Sequence, residues 1–163
     1  MKRRPLMQYL WPLASVAIAG GIFFSSAMPG DASGEASMSI IHRVMAWFPF
    51  LPFTADTLNF ILRKGAHFVV FFALAFSLMH ALKYYIKKPA RLFFWAWGIS
   101  AAYGILDELH QLFVPGRGCE IRDMVINAAG AACGAALVRV WLLRGQRHIV
   151  EGSDSSLEKN TYS

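Results

Sequence analysis

The chain begins with a run of 26 residues, from Pro5 to Gly30, that contains no charged side chain. An apolar helix of about 20 residues is long enough to cross the hydrocarbon layer of a bilayer. The whole chain is 56% hydrophobic and only 16% charged, whereas soluble domains carry about 25% charged residues. This composition argues against a soluble globular fold and against disorder, which requires low hydrophobicity. The sequence therefore predicts a membrane protein.

Four apolar stretches predict four membrane-spanning helices. The third has only 15 uncharged residues after Arg91, which as a helix reach about 22 Å and are too short to cross. Its apolar pattern continues to Phe113, so we expect the helix to continue and to carry Asp107 and Glu108 within the outer boundary of the membrane. The four predicted spans cover residues 6–28, 65–82, 92–113 and 124–143.

The distribution of charge predicts the orientation of these spans. The two ends of the chain and the segment between the second and third spans hold 11 of the 16 basic residues. Because cytoplasmic segments are enriched in Lys and Arg, both termini are expected in the cytoplasm, with residues 31–64 and 107–123 outside. The net charge of +6 does not predict nucleic-acid binding, since no basic stripe with interleaved aromatic residues lies outside the apolar runs.

The remaining segments are assigned from their local patterns. Residues 31–37 predict a polar loop, and the apolar spacing from Ile41 to Phe48 predicts a short helix on the outer membrane interface. Asp56 or Thr57 is expected to cap the helix that leads into the second span. The fold class is thus all-α, a four-helix transmembrane bundle with one interfacial helix. Residues 1–150 form the membrane domain, and residues 151–163 form a polar, disordered tail in the cytoplasm.

An alternative for the first span is a signal peptide. Basic residues, an apolar region and the small residues Ser25 and Ala27 resemble a cleavable signal. The apolar region is longer than the usual 7–15 residues of such a signal, so we expect an uncleaved span. The sequence leaves the cleavage question open.

Ionisable residues recur near the predicted outer ends of three spans. Charged groups at membrane depth are costly, which makes them candidates for function. Residues three or four apart share a helix face, so Lys64 lies beside His67, and Asp107 beside Gln111. A turn at residues 114–118 is expected to fold its arginine over this cluster. The candidate binding residues are Lys64, His67, Asp107, Glu108, Gln111, Arg117, Asp123 and Asn127.

Several roles remain open for this cluster. Its cations can bind an anionic envelope lipid or cell-wall intermediate. Alternatively, His67, Glu108 or Asp107 can act as acid or base on a lipid-linked phosphate. The polar groups can also simply hold the helices in register. A small transporter is disfavoured because the inner halves of the spans lack a matching polar path.

Neither a metal nor a cofactor is predicted for the cluster. His67, Asp107, Glu108 and Asp123 can supply imidazole and carboxylate ligands, but they lack the HExxH-type spacing of a metal motif, and the nearby cations oppose a divalent ion. The small residues from Gly130 to Gly134 predict a close helix-packing face. Tyr103, one turn before Asp107, is expected to donate its hydroxyl to that carboxylate. His80, which lies alone near the inner end of its span, is interpreted as structural.

The order and spacing of these polar residues resemble the VanZ-like family of bacterial membrane proteins. The resemblance extends over roughly residues 10–143. It rests on a Lys-x-x-His-Phe-x-x-Phe motif from Lys64, an Asp-Glu pair with a following Pro-Gly-Arg turn, and Asp123 with Asn127.

This resemblance implies a multi-pass protein of the bacterial plasma membrane. The namesake of the family is associated with reduced sensitivity to the glycopeptide antibiotic teicoplanin, which acts on cell-wall precursors at the outer face. We therefore expect the outward polar cluster to bind or organise an anionic envelope lipid or cell-wall intermediate and so to affect envelope properties or antibiotic sensitivity. The resemblance identifies neither the ligand nor an activity, and the sequence predicts no oligomeric state.

Overall fold

The computed structural model describes the backbone of residues 6–50 and 52–161, and side chains up to residue 145. All regular secondary structure in these residues is helical, which confirms the all-α prediction. The five helices are α1 (Met7–Ser26), α2 (Gly30–Trp47), α3 (Ala55–Leu82), α4 (Pro89–Gln111) and α5 (Ile121–Thr161).

Within the described residues, three helical segments are long and apolar enough to cross a membrane. They are Met7–Ser26, Ala55–Leu82 and Ile121–Gly145. Helix α4 is not among them, and Asp107 and Glu108 lie near its C-terminal end. Its role as a fourth span therefore stays a prediction.

Helix α2 corrects one prediction. Residues 31–37 are helical rather than a polar loop. The helix begins at Gly30, directly after Pro29, whose backbone is extended. Pro29 is the N-cap residue, immediately before the first helical residue. Asp31 in the first turn interacts favourably with the helix dipole. On α2, Ile41 is 2% exposed and anchors the helix to the bundle. The placement of α2 on a membrane interface stays a prediction.

Helix α3 begins slightly earlier than predicted. Thr54 is the N-cap, and its Oγ1 accepts a hydrogen bond from the backbone N–H of Thr57 at 3.3 Å. The predicted caps Asp56 and Thr57 instead lie in the first turn. Thr and Asp are both favoured as N-caps. Residue type alone therefore does not distinguish Thr54 from Asp56 or Thr57. The early start places Lys64 well inside the helix.

The most extensive helix contact joins α3 and α5. Gly130 lies against the backbone of Phe68, and Gly134 lies against the backbone of Phe72. Ala131, between the two glycines, is fully buried. Small side chains let two helix backbones approach closely, so the predicted packing face is confirmed.

Polar residues at the opposite end of the bundle have structural partners. The His80 ring stacks on Trp11 with centroids 4.4 Å apart, and its Nδ1 lies 3.1 Å from Lys83 Nζ. Nearby, Ser15 donates a hydrogen bond to Ser77 at 2.9 Å between α1 and α3. These contacts agree with the structural interpretation of His80.

The backbone of α5 remains helical to Thr161, through most of the segment that the sequence predicts to be a disordered tail. A polar helix of this size has marginal stability in water unless it packs against another element. The disorder of residues 151–163 stays a prediction, as does their cytoplasmic location.

Candidate functional site

Lys64 joins α3 to the start of α5. Its Nζ lies 2.6 Å from Asp123 Oδ1 and 2.7 Å from Glu120 Oε2. The hydrogen bond from Lys64 is the main reason that the pKa of Glu120 lies below its usual value. The Lys64 and Asp123 side chains are only 17% and 9% exposed, so water screens their attraction less than it would at the surface. This ion pair fixes the register of the two helices.

His67 lies one turn after Lys64 and is surrounded by polar groups from α4 and α5. Its Nδ1 is 3.1 Å from Asn127 Oδ1 and 3.9 Å from Glu108 Oε1. Its Nε2 is 3.7 Å from Asp123 Oδ2. The buried Glu108 also accepts a hydrogen bond from the backbone N–H of Glu120 at 3.0 Å. Three helices thus bring an imidazole, two carboxylates and an amide together.

Asp107 and Gln111 form a second polar group on the side of α4 that faces α1. Gln111 Nε2 donates to Asp107 Oδ2 at 3.3 Å and to Ser26 Oγ at 3.4 Å. Both α4 side chains are buried. The predicted residues therefore form two adjoining groups rather than one, with Asp107 and Glu108 on different sides of the same helix.

The prediction for Tyr103 is wrong. Its hydroxyl donates to the backbone carbonyl of Ala19 at 2.7 Å instead of to Asp107. The contact between α1 and α4 brings this carbonyl within reach of the tyrosine. Tyr103 therefore ties α4 to α1, and Asp107 pairs with Gln111.

Arg117 lies at the end of α1. Its Nη2 donates to Ser25 O at 3.1 Å and its Nε donates to Met28 O at 3.2 Å. A cation is favourable beside the carbonyl groups at a helix C-terminus. Burial lowers the pKa of Arg117, and the positive charge of nearby Arg63 lowers it further. The arginine remains charged, since its ordinary pKa is far above neutral.

A tight contact between two glycines holds the turn that carries Arg117. Gly116 has a φ of +71°, which a glycine adopts at little cost. It lies against Gly30, whose N–H donates to Pro115 O at 2.9 Å. The α4–α5 turn is thereby attached to the start of α2.

A cavity of about 730 Å³ lies among α1, α2, α3 and α4. The polar residues around it include Ser25, Arg63, His67, Asp107, Gln111 and Arg117. Its apolar wall includes Ile22, Ile40, Leu62, Val69 and Phe71. The cavity therefore combines two cationic side chains with a largely hydrocarbon surface.

The sequence interpretation omitted three residues of this region. Arg63 lines the cavity, Glu120 pairs with Lys64, and Ser26 contacts Gln111. Arg63 lies four residues before His67, and this spacing places both on one helix face. That spacing was a usable signal for Arg63, whereas the partners of Glu120 and Ser26 depend on how the loops and α1 pack.

His67, Glu108 and Asp123 are the described residues with the geometry to hold a metal ion. Each offers one ligand atom, and these atoms lie within 4.8 Å of one another. Imidazole and carboxylate are ligands for first-row divalent metals. The sequence offered these three residues and Asp107 as possible ligands, but without a metal-binding spacing it predicted no metal.

Comparison with known families identifies a match. The family described as VanZ/LLP1 matches residues 11–143. No curated protein and no solved structure matches the chain significantly. Because the match covers most of the chain, including all the polar residues described above, the chain belongs to the VanZ/LLP1 family.

Proposed function

We propose that the protein crosses the membrane four times, with both termini in the cytoplasm and the polar cluster at the outer side. Helix α4 has 23 residues, which correspond to about 35 Å and suffice for a span. Its charged residues near the outer end have partners within the protein, which reduces the cost of placing them at membrane depth. The charge distribution supports the orientation. Helix α2 then lies on the outer interface, where the exposed Trp47 is a suitable anchor.

We propose that the cavity binds the phosphate group of an anionic envelope lipid. The observation that carries this proposal is the presence of Arg63 and Arg117 on one cavity with an otherwise mainly apolar wall. The two like charges are close enough for one to lower the pKa of the other. A phosphate between them relieves this repulsion and accepts charge-assisted hydrogen bonds.

The other residues of the cavity fit the remaining parts of such a lipid. Asp107 accepts hydrogen bonds only, so it suits a hydroxyl group of the headgroup. Apolar side chains such as Ile40 and Val69 suit a hydrocarbon chain. The volume, about 730 Å³, falls within the range of about 300–1,000 Å³ typical of small-molecule sites.

A lipid bound in this way is held at the outer surface, where cell-wall intermediates are used. Holding such a lipid changes its availability to enzymes and to antibiotics that bind cell-wall precursors. We propose that the protein affects envelope properties, including glycopeptide sensitivity, by changing the availability of this lipid.

Replacing Arg63 with glutamine should weaken lipid binding. A hydrogen bond to a charged group contributes about 1.5–3 kcal/mol, so we expect binding of phosphatidylglycerol to fall about tenfold or more. Native mass spectrometry of the protein in detergent, titrated with phosphatidylglycerol or phosphatidylcholine, measures this change. Arg63 is preferable to Arg117 for the test, because Arg117 also holds the end of α1.

The control is Arg43→Gln, which removes an exposed arginine on α2 outside the cavity. It should leave binding unchanged. Equal retention of phosphatidylglycerol by wild type and Arg63→Gln, or no preference for the anionic lipid, contradicts the proposal.

An enzyme acting on a lipid-linked phosphate is the second candidate. The contact of 3.9 Å between His67 and the buried Glu108 favours it, because such a pair can exchange a proton with a substrate. Release of inorganic phosphate from a lipid pyrophosphate, lost in Glu108→Gln, distinguishes this activity from binding alone.

A further inference from the structure

Three potential metal ligands converge beside the lipid cavity from three different helices. One atom each from His67, Glu108 and Asp123 lies within 4.8 Å of the others. A first-row metal lies about 2.0–2.2 Å from nitrogen and oxygen ligands, which places the ligands about 3–3.5 Å from one another. The ligand atoms must therefore come closer together for all three to bind one ion.

Glu108 provides an independent indication that a cation binds among these three residues. Its side chain is 1% exposed. Oε2 accepts the Glu120 N–H, but Oε1 has no hydrogen-bond partner within the described part of the chain. A buried carboxylate oxygen without a partner is costly. This oxygen lies 3.9 Å from Nδ1 of His67, and a cation held by the cluster would satisfy it.

His67 is oriented as a metal ligand. With Asn127 placed as in the structure, its amide oxygen faces Nδ1 at 3.1 Å, and an amide oxygen only accepts hydrogen bonds. Nδ1 therefore carries a proton, and in the neutral imidazole the lone pair of Nε2 is directed toward Asp123, whose Oδ2 is 3.7 Å away. Metal-bound histidines usually donate their other ring N–H in this manner.

The surrounding charges also balance. Lys64 pairs with Glu120 at 2.7 Å and with both carboxylate oxygens of Asp123, Oδ1 at 2.6 Å and Oδ2 at 2.8 Å. If Lys64 and Glu120 neutralise one another, the carboxylates of Glu108 and Asp123 remain to neutralise a divalent ion. Lys64, a cation that argues against a metal from the sequence alone, thus already has an acidic partner in Glu120.

We propose that His67, Glu108 and Asp123 bind one divalent transition-metal ion of the Zn²⁺ or Mn²⁺ class. The imidazole ligand disfavours Mg²⁺ and Ca²⁺, which prefer oxygen. The site stands on its own contacts and does not depend on lipid binding. Because His67 also lines the cavity, the ion would lie next to its polar end.

Metal titration of the full-length, tag-free protein tests this site. The background carries Cys119→Ser and Cys133→Ser, which removes both free thiols of the described residues. After chelator treatment and dialysis, calorimetry and elemental analysis should give one Zn²⁺ per chain, with no comparable uptake of Mg²⁺. We expect His67→Gln and Glu108→Gln to lower the Zn²⁺ affinity at least about 100-fold, since even outer-shell changes cost about 10–100-fold.

The matched control is His42→Gln, an exposed histidine on α2, which should retain full binding. Copper substitution provides a readout that needs no site variant. Electron paramagnetic resonance of the Cu²⁺-loaded background protein should show coupling to one imidazole nitrogen. Substoichiometric Zn²⁺ uptake, uptake that survives Glu108→Gln, or a copper spectrum without nitrogen coupling overturns the proposal.

Discussion

Replacing Gly134 with alanine should severely destabilise the protein. A Cβ atom at this position would meet the Phe72 backbone, with its carbonyl carbon only 3.0 Å away. The obstacle is helix backbone, which cannot rotate aside as a side chain does. Overpacking a tight core costs about 1–3 kcal/mol, and we expect the upper end here. Thermal unfolding in detergent, followed by circular dichroism, should show a strongly lowered Tm.

The same substitution at Gly98 is the matched control. Gly98 lies within α4 and has nothing within 4 Å of an added Cβ. Alanine is favoured over glycine in helices by about 1 kcal/mol, so Gly98→Ala should preserve or raise the Tm. Similar unfolding of the Gly134→Ala variant and the wild type would contradict the close approach of α3 and α5.

Replacing Lys64 with methionine should also cause a large loss of stability. It leaves Asp123, only 9% exposed, without the cation that lies 2.6 Å away. Removing one member of a buried ion pair costs about 3–5 kcal/mol, because the remaining charge is uncompensated. Since Lys64 is still 17% exposed, we expect a loss near 3 kcal/mol, measured as a lowered Tm.

The double variant Lys64→Met/Asp123→Asn tests the cause of that loss. Without the charge on Asp123, most of the destabilisation should disappear. Lys87→Met, at an exposed lysine between α3 and α4, should have little effect. A double variant as unstable as the single variant would show that Lys64 stabilises the fold by another route.

The spacing of polar residues predicted much of the site because helices impose a simple geometry. Lys64 with His67, and Asp123 with Asn127, share helix faces at spacings of three and four. The structure places both pairs at the contact between α3 and α5. The small residues Gly130 and Gly134 predicted that contact for the same reason. Local periodicity was sufficient for these features.

Other features depend on tertiary packing that the sequence does not express locally. The Tyr103 hydroxyl donates a hydrogen bond to the α1 backbone, and the position of α1 determines which acceptor this hydroxyl reaches. The early start of α2 depends partly on Gly30, which contacts the α4–α5 turn. Arg63 and Arg117 line the same cavity, although they are far apart in the sequence. Long-range contacts of this kind are set by the packing of the whole bundle.

Photocrosslinking tests the lipid-binding account most directly. A phosphatidylglycerol analogue with a photoreactive group on its acyl chain is incorporated with the protein into nanodiscs, and labelled peptides are identified by mass spectrometry. The account predicts preferred labelling near Ile40 and Val69 on the cavity wall, competed by unlabelled phosphatidylglycerol and reduced in Arg63→Gln. Labelling equal to that of the exposed Phe94 and Trp95 on α4, unchanged by competitor or by the variant, would contradict a lipid site in this cavity.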